Sequence, residues 1–302
     1  MTNSMWASYH THTEFSTLDG IGKVDKVVAK VAAMEQPALG ITDHGVAPAM
    51  VQLYKAAKKH GIKPYIGVEG YLLDPEQETD PFNGSTKRFH IGLLARNLNG
   101  YRALINLINV SHTRPRFNKY PRISLEDLTE LSEAAYNDII VTSGCFIGLV
   151  QQALVNDGPE KAKRFLWTYA QLFPNTFVEV QNHSICHDED STRSVPLDDD
   201  DIVRALVGMA DELGLPIIAT QDSHYLDQND KGAHELMKRM AYGGTDPEFP
   251  GDSFHVASAE WVAEHYDKKT WSKVEEGAQQ MYDLGDFVVP ALDTKSPKSY
   301  IC

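Results

Sequence analysis

The chain has 302 residues, of which 42% are hydrophobic and 23% charged, an ordinary globular composition for a chain long enough to bury a core without staples. Its formal net charge of -14 argues against a protein that grips nucleic acid alone by neutralising phosphates, and does not exclude a nucleic-acid substrate, since a bound divalent cation can invert the field locally. The three cysteines are widely spaced with no CxxC pair, which excludes a zinc ribbon or disulfide framework. No apolar run approaches the ~20 residues of a membrane span, and the first residues lack the basic start and apolar stretch of a secretory signal. A cytoplasmic protein with no membrane partner is expected.

In chain order, residues 5–10 read as a weak first strand. Val24, Val27, Val28, Val31 and Ala32 then repeat at helical spacing. Residues 38–42 read as a strand, and Ala49, Met50, Leu53, Tyr54 and Ala57 as a second amphipathic helix. Further short, β-branched strands are expected at 64–70, 89–95, 138–143, 176–181 and 215–221. Helices are expected around Tyr101, Leu104, Ile105 and Ile108, and at 159–172 and 201–213. Strand–helix alternation implies a parallel sheet with right-handed crossovers, and about seven such units suggest closure into a barrel.

Three polar inserts interrupt the pattern, at 74–88, 111–137 and 184–200. The second contains Arg114, Arg116, Lys119 and Arg122, with a helix start at Ser124-Leu125-Glu126-Asp127. The third is acidic and reads as a solvated loop. Beyond residue 226 the pattern is helical and polar. The expected division is therefore a barrel over 1–226 with a helical extension, 227–302, packed on it.

Metal-type side chains recur along this map. His10 and His12 follow the first strand, Asp43 and His44 the second, Glu69 the third. His90 lies in the fourth, Cys145 follows the fifth, and Asp222 and His224 follow the last. Catalytic groups of parallel barrels gather at the C-terminal strand ends. His10-Thr11-His12 and Asp222-Ser223-His224 each skip one residue, so on an extended strand both members face one side and can chelate one ion. Imidazole, thiolate and carboxylate together suit zinc, with manganese or iron as alternatives. His60, His112, His187, His234, His255 and His265 lack such placement and read as ordinary surface or hydrogen-bonded residues.

The ordered motifs are His10-Thr11-His12-Thr13-Glu14-Phe15-Ser16 with Asp19-Gly20; Ile41-Thr42-Asp43-His44-Gly45; Gly67-Val68-Glu69 with Tyr71; Phe89-His90-Ile91; Ser143-Gly144-Cys145; Glu179-Val180-Gln181-Asn182-His183; and Ala219-Thr220-Gln221-Asp222-Ser223-His224-Tyr225. Together they resemble the PHP (polymerase and histidinol phosphatase) family, in the branch found at the N-terminus of bacterial and phage DNA polymerase III alpha subunits. Asn99-Gly100-Tyr101-Arg102-Ala103-Leu104, Pro121-Arg122-Ile123-Ser124-Leu125 and Gly232-Ala233-His234-Glu235-Leu236-Met237 match that branch too.

The resemblance implies a distorted (β/α)7 barrel with a helical C-terminal appendage and two to three divalent cations. His10, His12, Glu69 and Asp222 would hold one ion. Glu69, His90 and Cys145 would hold a second, and Asp19, His44 and His224 a third. Asp19, His44, Glu69 and Asp222 would be catalytic through those metals. Asp43 would orient its neighbour His44 from behind, His183 would line the cleft, and Arg114 and Arg116, with Lys87 and Arg88, would contact the DNA backbone.

The implied activity is hydrolysis of a phosphoester, with the DNA 3′ end as substrate for 3′–5′ exonucleolytic proofreading. A polymerase body or other replication proteins would be partners. No polymerase activity is expected of the chain by itself. The alternatives are a small-molecule phosphatase of histidinol-phosphatase type and a non-catalytic, metal-stabilised module that docks a polymerase.

Overall fold

The computed structural model describes residues 4–76, 86–113, 116–184, 197–243 and 253–288. Seven strands occur in it: β1 (Ala38–Ile41), β2 (Lys63–Leu73), β3 (Arg88–Ala95), β4 (Arg122–Ile123), β5 (Ile139–Thr142), β6 (Thr176–Val180) and β7 (Ile217–Ala219). They are interleaved with α1 (Val24–Ala33), α2 (Met50–His60), α3 (Leu98–Ser111), α4 (Leu125–Ala135), α5 (Leu149–Asp157), α6 (Pro159–Leu172) and α7 (Asp199–Leu213). Three helices follow: α8 (Lys231–Tyr242), α9 (Ala259–Ala263) and α10 (Lys268–Leu284).

The strand order is β1-β2-β3-β5-β6-β7, with β4 paired to the far end of β2. Residues 8–11 join the two edges. The Ser8 carbonyl accepts from Gly40 N at 2.7 Å beside β1, and His12 N donates to the Ser223 carbonyl at 2.8 Å just past β7. The expected first strand is thus too irregular to count as one, yet its backbone pairs on both sides and curls the sheet round.

One expectation fails: the sheet is not wholly parallel. β3 runs antiparallel to both β2 and β5. A parallel return needs a crossover, usually helical, and the polar insert after β2 shows no helical apolar stripe. The reversal brings the start of β3 to the end of the barrel where the other strands finish. His90, near that start, faces Tyr71 of β2 in register.

The strand period of two sorts inward from outward side chains. Inward at one end stand Ala7, Tyr9, Ala38, Tyr65, Leu94, Ile140, Phe177 and Ile218, joined by Met281 of α10 in one buried apolar cluster. Two residues nearer the other end come small or polar groups: Gly40, Gly67, Gly92, Thr142, Glu179 and, just past β7, Thr220. A Cβ on Gly92 would lie 2.1 Å from Thr142 Oγ1, so only glycine admits the crowded middle layer. Two residues further again stand Glu69, His90 and Asp222. The outward faces pack on the helices as a larger core that includes Leu39, Ile66, Leu93, Val141, Val178 and Leu166.

Of the C-terminal helices, α10 packs on the barrel. A Cβ on Gly277 of α10 would fall within 1.9 Å of the Ile217 carbonyl, so the missing side chain sets how closely α10 approaches β7. Tyr65 Oη donates to the Met281 carbonyl at 2.6 Å, and Arg96 Nε to that of Leu284 at 2.8 Å. The start of α4 is closed by Ser124 and Asp127, whose side chains reciprocally bond each other's backbone N–H. Residues 149–157 form α5, which the sequence pattern did not single out.

Candidate metal centre

At the polar end the expected ligands converge on Glu69, which is fully buried. Its Oε1 lies 3.2 Å from His10 Nε2, 2.9 Å from His90 Nδ1 and 3.4 Å from Cys145 Sγ. Its Oε2 lies 2.7 Å from His44 Nδ1 and 3.6 Å from His12 Nε2. Asp222 Oδ1 stands 3.2 Å from His10 Nε2 and 3.0 Å from His12 Nε2. Asp222 adopts a left-handed backbone, φ 47°, uncommon for a residue with a side chain and typical of functional turns. On the opposite side Asp19 Oδ2 lies 2.9 Å from His44 Nε2 and 3.7 Å from His224 Nε2. The rings of His44 and His224 stack on that of His12 at 4.1 and 4.4 Å.

Side-chain nitrogens and oxygens of three overlapping triads come close enough to share an ion: His12, His44 and His224; His10, His12 and Glu69; and His44, Glu69 and His90. The first departs from the expected grouping by bringing His12 to the side of His44 and His224. Protein contacts alone satisfy these atoms poorly. Glu69 Oε2, Asp222 Oδ1 and Asp19 Oδ1 are buried acceptors with no well-aligned hydrogen-bond donor among the described residues. His10 Nε2 and His12 Nε2 face each other at 3.2 Å. Carboxylate oxygens left without donors beside converging imidazole nitrogens are a donor set that divalent cations fit.

Without a cation the charges perturb one another strongly. Burial opposes a negative charge on Glu69, but His90, His10 and His44 hold its carboxyl well below the usual range. Burial likewise opposes a proton on His44, yet Glu69 and Asp19 raise that imidazole to about 10. His12 goes the other way: burial, then the neighbouring His44 and His224, depress it to about 3, leaving a neutral ring able to donate a lone pair. Burial and the Glu69 and Asp222 carboxylates push the Cys145 thiol well up, so only an adjacent cation would hold it as thiolate.

Supporting residues differ in part from expectation. Asp43 does not orient His44. Its carboxylate accepts from Thr13 N at 2.7 Å and Ser16 Oγ at 2.7 Å, and Ser16 Oγ in turn meets His12 Nδ1 at 3.0 Å. The hydroxyl is nearer than the neighbouring ring because the 13–16 turn folds back over Asp43. His183 lies outside the cage; its Nδ1 meets Ser253 Oγ at 2.7 Å and its ring stacks on Phe254 at 4.0 Å. Arg116 pairs with Asp127 at 2.7 Å, because the capping carboxylate lies within its reach. Arg114 lies outside the described residues.

Three contributors were missed by the sequence reading. Glu179 is fully buried, and its Oε1 accepts from His10 Nδ1 at 2.6 Å and Thr220 Oγ1 at 2.5 Å, while Oε2 accepts from Thr142 Oγ1 at 2.5 Å. It fixes which His10 nitrogen faces Glu69 and Asp222. Its inward parity with Phe177 was the available signal. His234 and Lys238, one turn apart on α8, approach Asp19 Oδ1 at 3.6 and 3.8 Å. His234 was read as an ordinary histidine, because nothing local marks a helix beyond residue 226 as reaching the barrel mouth.

A family profile described as PHP domain matches residues 8–183. The chain belongs to the PHP domain family. Curated relatives of this PHP chain include DNA polymerase III subunit alpha of Borreliella burgdorferi, 30% identical over 86% of this chain and 22% of the relative. The subunit of the same name from Saccharopolyspora erythraea is 32% identical over 86% of this chain and 23% of the relative. The PHP chain thus spans under a quarter of the length of these relatives. Among solved structures, an amidohydrolase from Chromobacterium violaceum is similar at 15% identity and a TM-score of 0.48, over 72% of this chain and 87% of that one. Among the described residues, no helix is long and apolar enough to cross a membrane.

Proposed function

We propose that this PHP domain is a metal-dependent phosphoesterase that hydrolyses the 3′ ends of DNA. The observation that carries the reading is the position of Glu69. One carboxylate oxygen faces His10, His90 and Cys145 while the other faces His44 and His12, as a carboxylate shared between cations requires. His10, His12, Glu69 and Asp222 would hold one cation, Glu69, His90 and Cys145 a second, and Asp19, His44 and His224 a third. Zinc, manganese or iron suits this mixed donor set. Divalent cations so held supply polarised phosphoryl oxygens and a water acidified towards neutral pH.

The chain's own residues do the rest. Glu179 and Ser16 orient the rings of His10 and His12. Asp19, Glu69 and Asp222 would offer carboxylate oxygens, and His44 an imidazole that must shed its proton, to the entering cations. Lys238 offers a positive charge beside Asp19 to a substrate oxygen. Residues 1–226 would carry the metal ligands, and 227–302 close the barrel floor with α10 and bring His234 and Lys238 of α8 to its mouth. The names of the relatives support a setting in replication, in the cytoplasm and beside a polymerase body or other replication proteins. Polymerisation itself is not proposed for this chain.

Elemental analysis of the purified chain, beside digestion of a 5′-labelled single strand, tests the reading. Two or more cations per chain and stepwise loss of 3′ nucleotides are expected. Turnover of a phosphomonoester such as histidinol phosphate with no action on DNA would move the substrate to a small molecule. A cage that takes up no cation would end the reading.

A further inference from the structure

Beyond the cage, one aromatic and cationic cluster is not used by the proposed chemistry. Tyr71, two residues beyond Glu69 on β2, has its ring 5.3 Å from that of His90 and 5.9 Å from that of His44. The ring of Tyr120 lies 5.0 Å from that of Tyr71 and is only half-buried. The exposed guanidinium of Arg88 sits 3.8 Å over the Tyr120 ring, and Lys119 Nζ lies 5.3 Å from its centre.

The fold builds this shelf deliberately. β4 pairs with Tyr71 and Leu72 of β2, which pulls the preceding residues, 118–121, against the mouth of the barrel. Gly45, next to His44, leaves the room that Pro121 fills, since a Cβ there would fall 2.3 Å from Pro121 Cγ. A tight turn with Lys119 at φ 65° and Asn118 N bonded to the Tyr120 carbonyl holds the side chains at the rim.

Charge sharpens the reading. Arg116, Lys161, Lys163 and Arg164 all pair with carboxylates. Arg88 and Lys119 do not: among the described residues neither has a carboxylate partner within ion-pair distance. In a chain of net charge -14, two cations without a carboxylate partner among the described residues, flanking an accessible aromatic ring at the mouth of the cage, fit an anionic ligand with a flat face. Aromatic rings and guanidinium planes stack any base, and cations beside them track the phosphates of a single strand.

We propose that Tyr120, Arg88 and Lys119 form a stacking subsite for a nucleobase near the 3′ end of a single strand, with Arg88 and Lys119 on its phosphates. Tyr71 is the spacer that separates this subsite from the cage. The inference names the substrate contact of the site read above as a phosphoesterase, and it rests on that reading for its purpose. A nucleic-acid strand is favoured over a small phosphate ester because a small ester would bury itself in the cage and leave the shelf without a role.

The test is fluorescence anisotropy of a 5′-labelled single-stranded oligothymidylate on the full chain in EDTA, where no cleavage occurs. Tyr120→Ala should weaken binding about tenfold, as loss of one stacked base does. Tyr120→Trp should bind as tightly as the parent. Arg88→Ala and Lys119→Ala should each lower the salt dependence of log K by ~0.7. An abasic 3′ nucleotide should bind the parent as weakly as the intact strand binds Tyr120→Ala. Equal binding by the parent and Tyr120→Ala, or indifference to the missing base, would overturn the subsite. Turnover of bis(p-nitrophenyl) phosphate by the metal-loaded parent reads the phosphoesterase proposal separately. A parent that binds strands through Tyr120 yet hydrolyses nothing would sink that proposal and leave the subsite standing.

Discussion

The two ends of the barrel interior are built on the same strands and differ in what they ask of them. Along β2 the inward side chains run Tyr65, Gly67, Glu69; along β6, Phe177 then Glu179; along β7, Ile218, Thr220, Asp222. The floor is closed by rings, aliphatic side chains and Met281, and is stable because apolar area leaves water. The mouth gathers imidazoles, carboxylates and a thiol whose charges are unbalanced until cations arrive. One end holds the barrel together and the other draws on that stability, so damage to each should register in a different measurement.

The largest contrast is expected at Glu69. Glu69→Gln should cut hydrolysis by on the order of 10³-fold, as removal of a group stabilising the transition state does, and lower the cations counted per chain. Its melting temperature in EDTA should fall as well, because the buried His44 loses a carboxylate that holds its proton. A variant that keeps its cations and activity would erase the distinction between the two ends. At the floor, Met281→Ala should destabilise by ~2–5 kcal/mol in denaturant titration, the cost of a cavity, while cation content at low temperature is unchanged. Unaltered stability there would mean that α10 is not part of the core.

Between the two layers, Glu179→Gln sharpens the comparison. It retains an acceptor for His10 Nδ1 but loses the charge behind the ring, and metal affinity should fall roughly 10–100-fold by titration calorimetry. A change confined to the weakest cation would identify which ion His10 holds. An unchanged isotherm would reduce Glu179 to a packing residue.

The smallest effect concerns pH, because two buried histidines act on opposite sides of neutrality. His44 is raised to about 10 in the cation-free fold, so its contribution is complete below its unfolded pKa and is lost as pH rises through about 10. His12 is depressed to about 3, so it costs stability as pH falls below its unfolded value, about 6.5, and that cost is complete below about 3. The EDTA-treated chain should therefore melt highest near neutrality. A bound cation displaces the proton of His44, so the gain in melting temperature on adding metal should grow towards alkaline pH. A gain that shrinks with rising pH would contradict this protonation pattern.

Much of this was legible in the linear chain. β-branched runs located β1, β2, β3, β5, β6 and β7, helical spacing located α1, α2 and α3, and Ser124 marked the start of α4. Ligand-type residues at strand ends located the cage, since side-chain parity is a local property of an extended backbone. What stayed hidden was the partner of each group. Asp43 looked like a support for His44, but the 13–16 turn brings Ser16 between it and His12. Arg116 looked available to substrate and is held by Asp127. Glu179 and His234 lay within motifs yet were given no role, and Lys238 lay in none, because their roles depend on elements distant in sequence arriving beside them.

The order of residues by itself determined the family, the alternation of strands and helices and the chemical types offered to a metal, because propensity, parity and motif spacing act over a few neighbouring residues. The tertiary structure alone decided that β3 runs backwards and so brings His90 to the cage, that α10 plugs the floor, and that Tyr120 stands under Arg88 at the rim. Those outcomes depend on the closing of a curved sheet and on contacts between segments far apart in the chain, which no local pattern encodes.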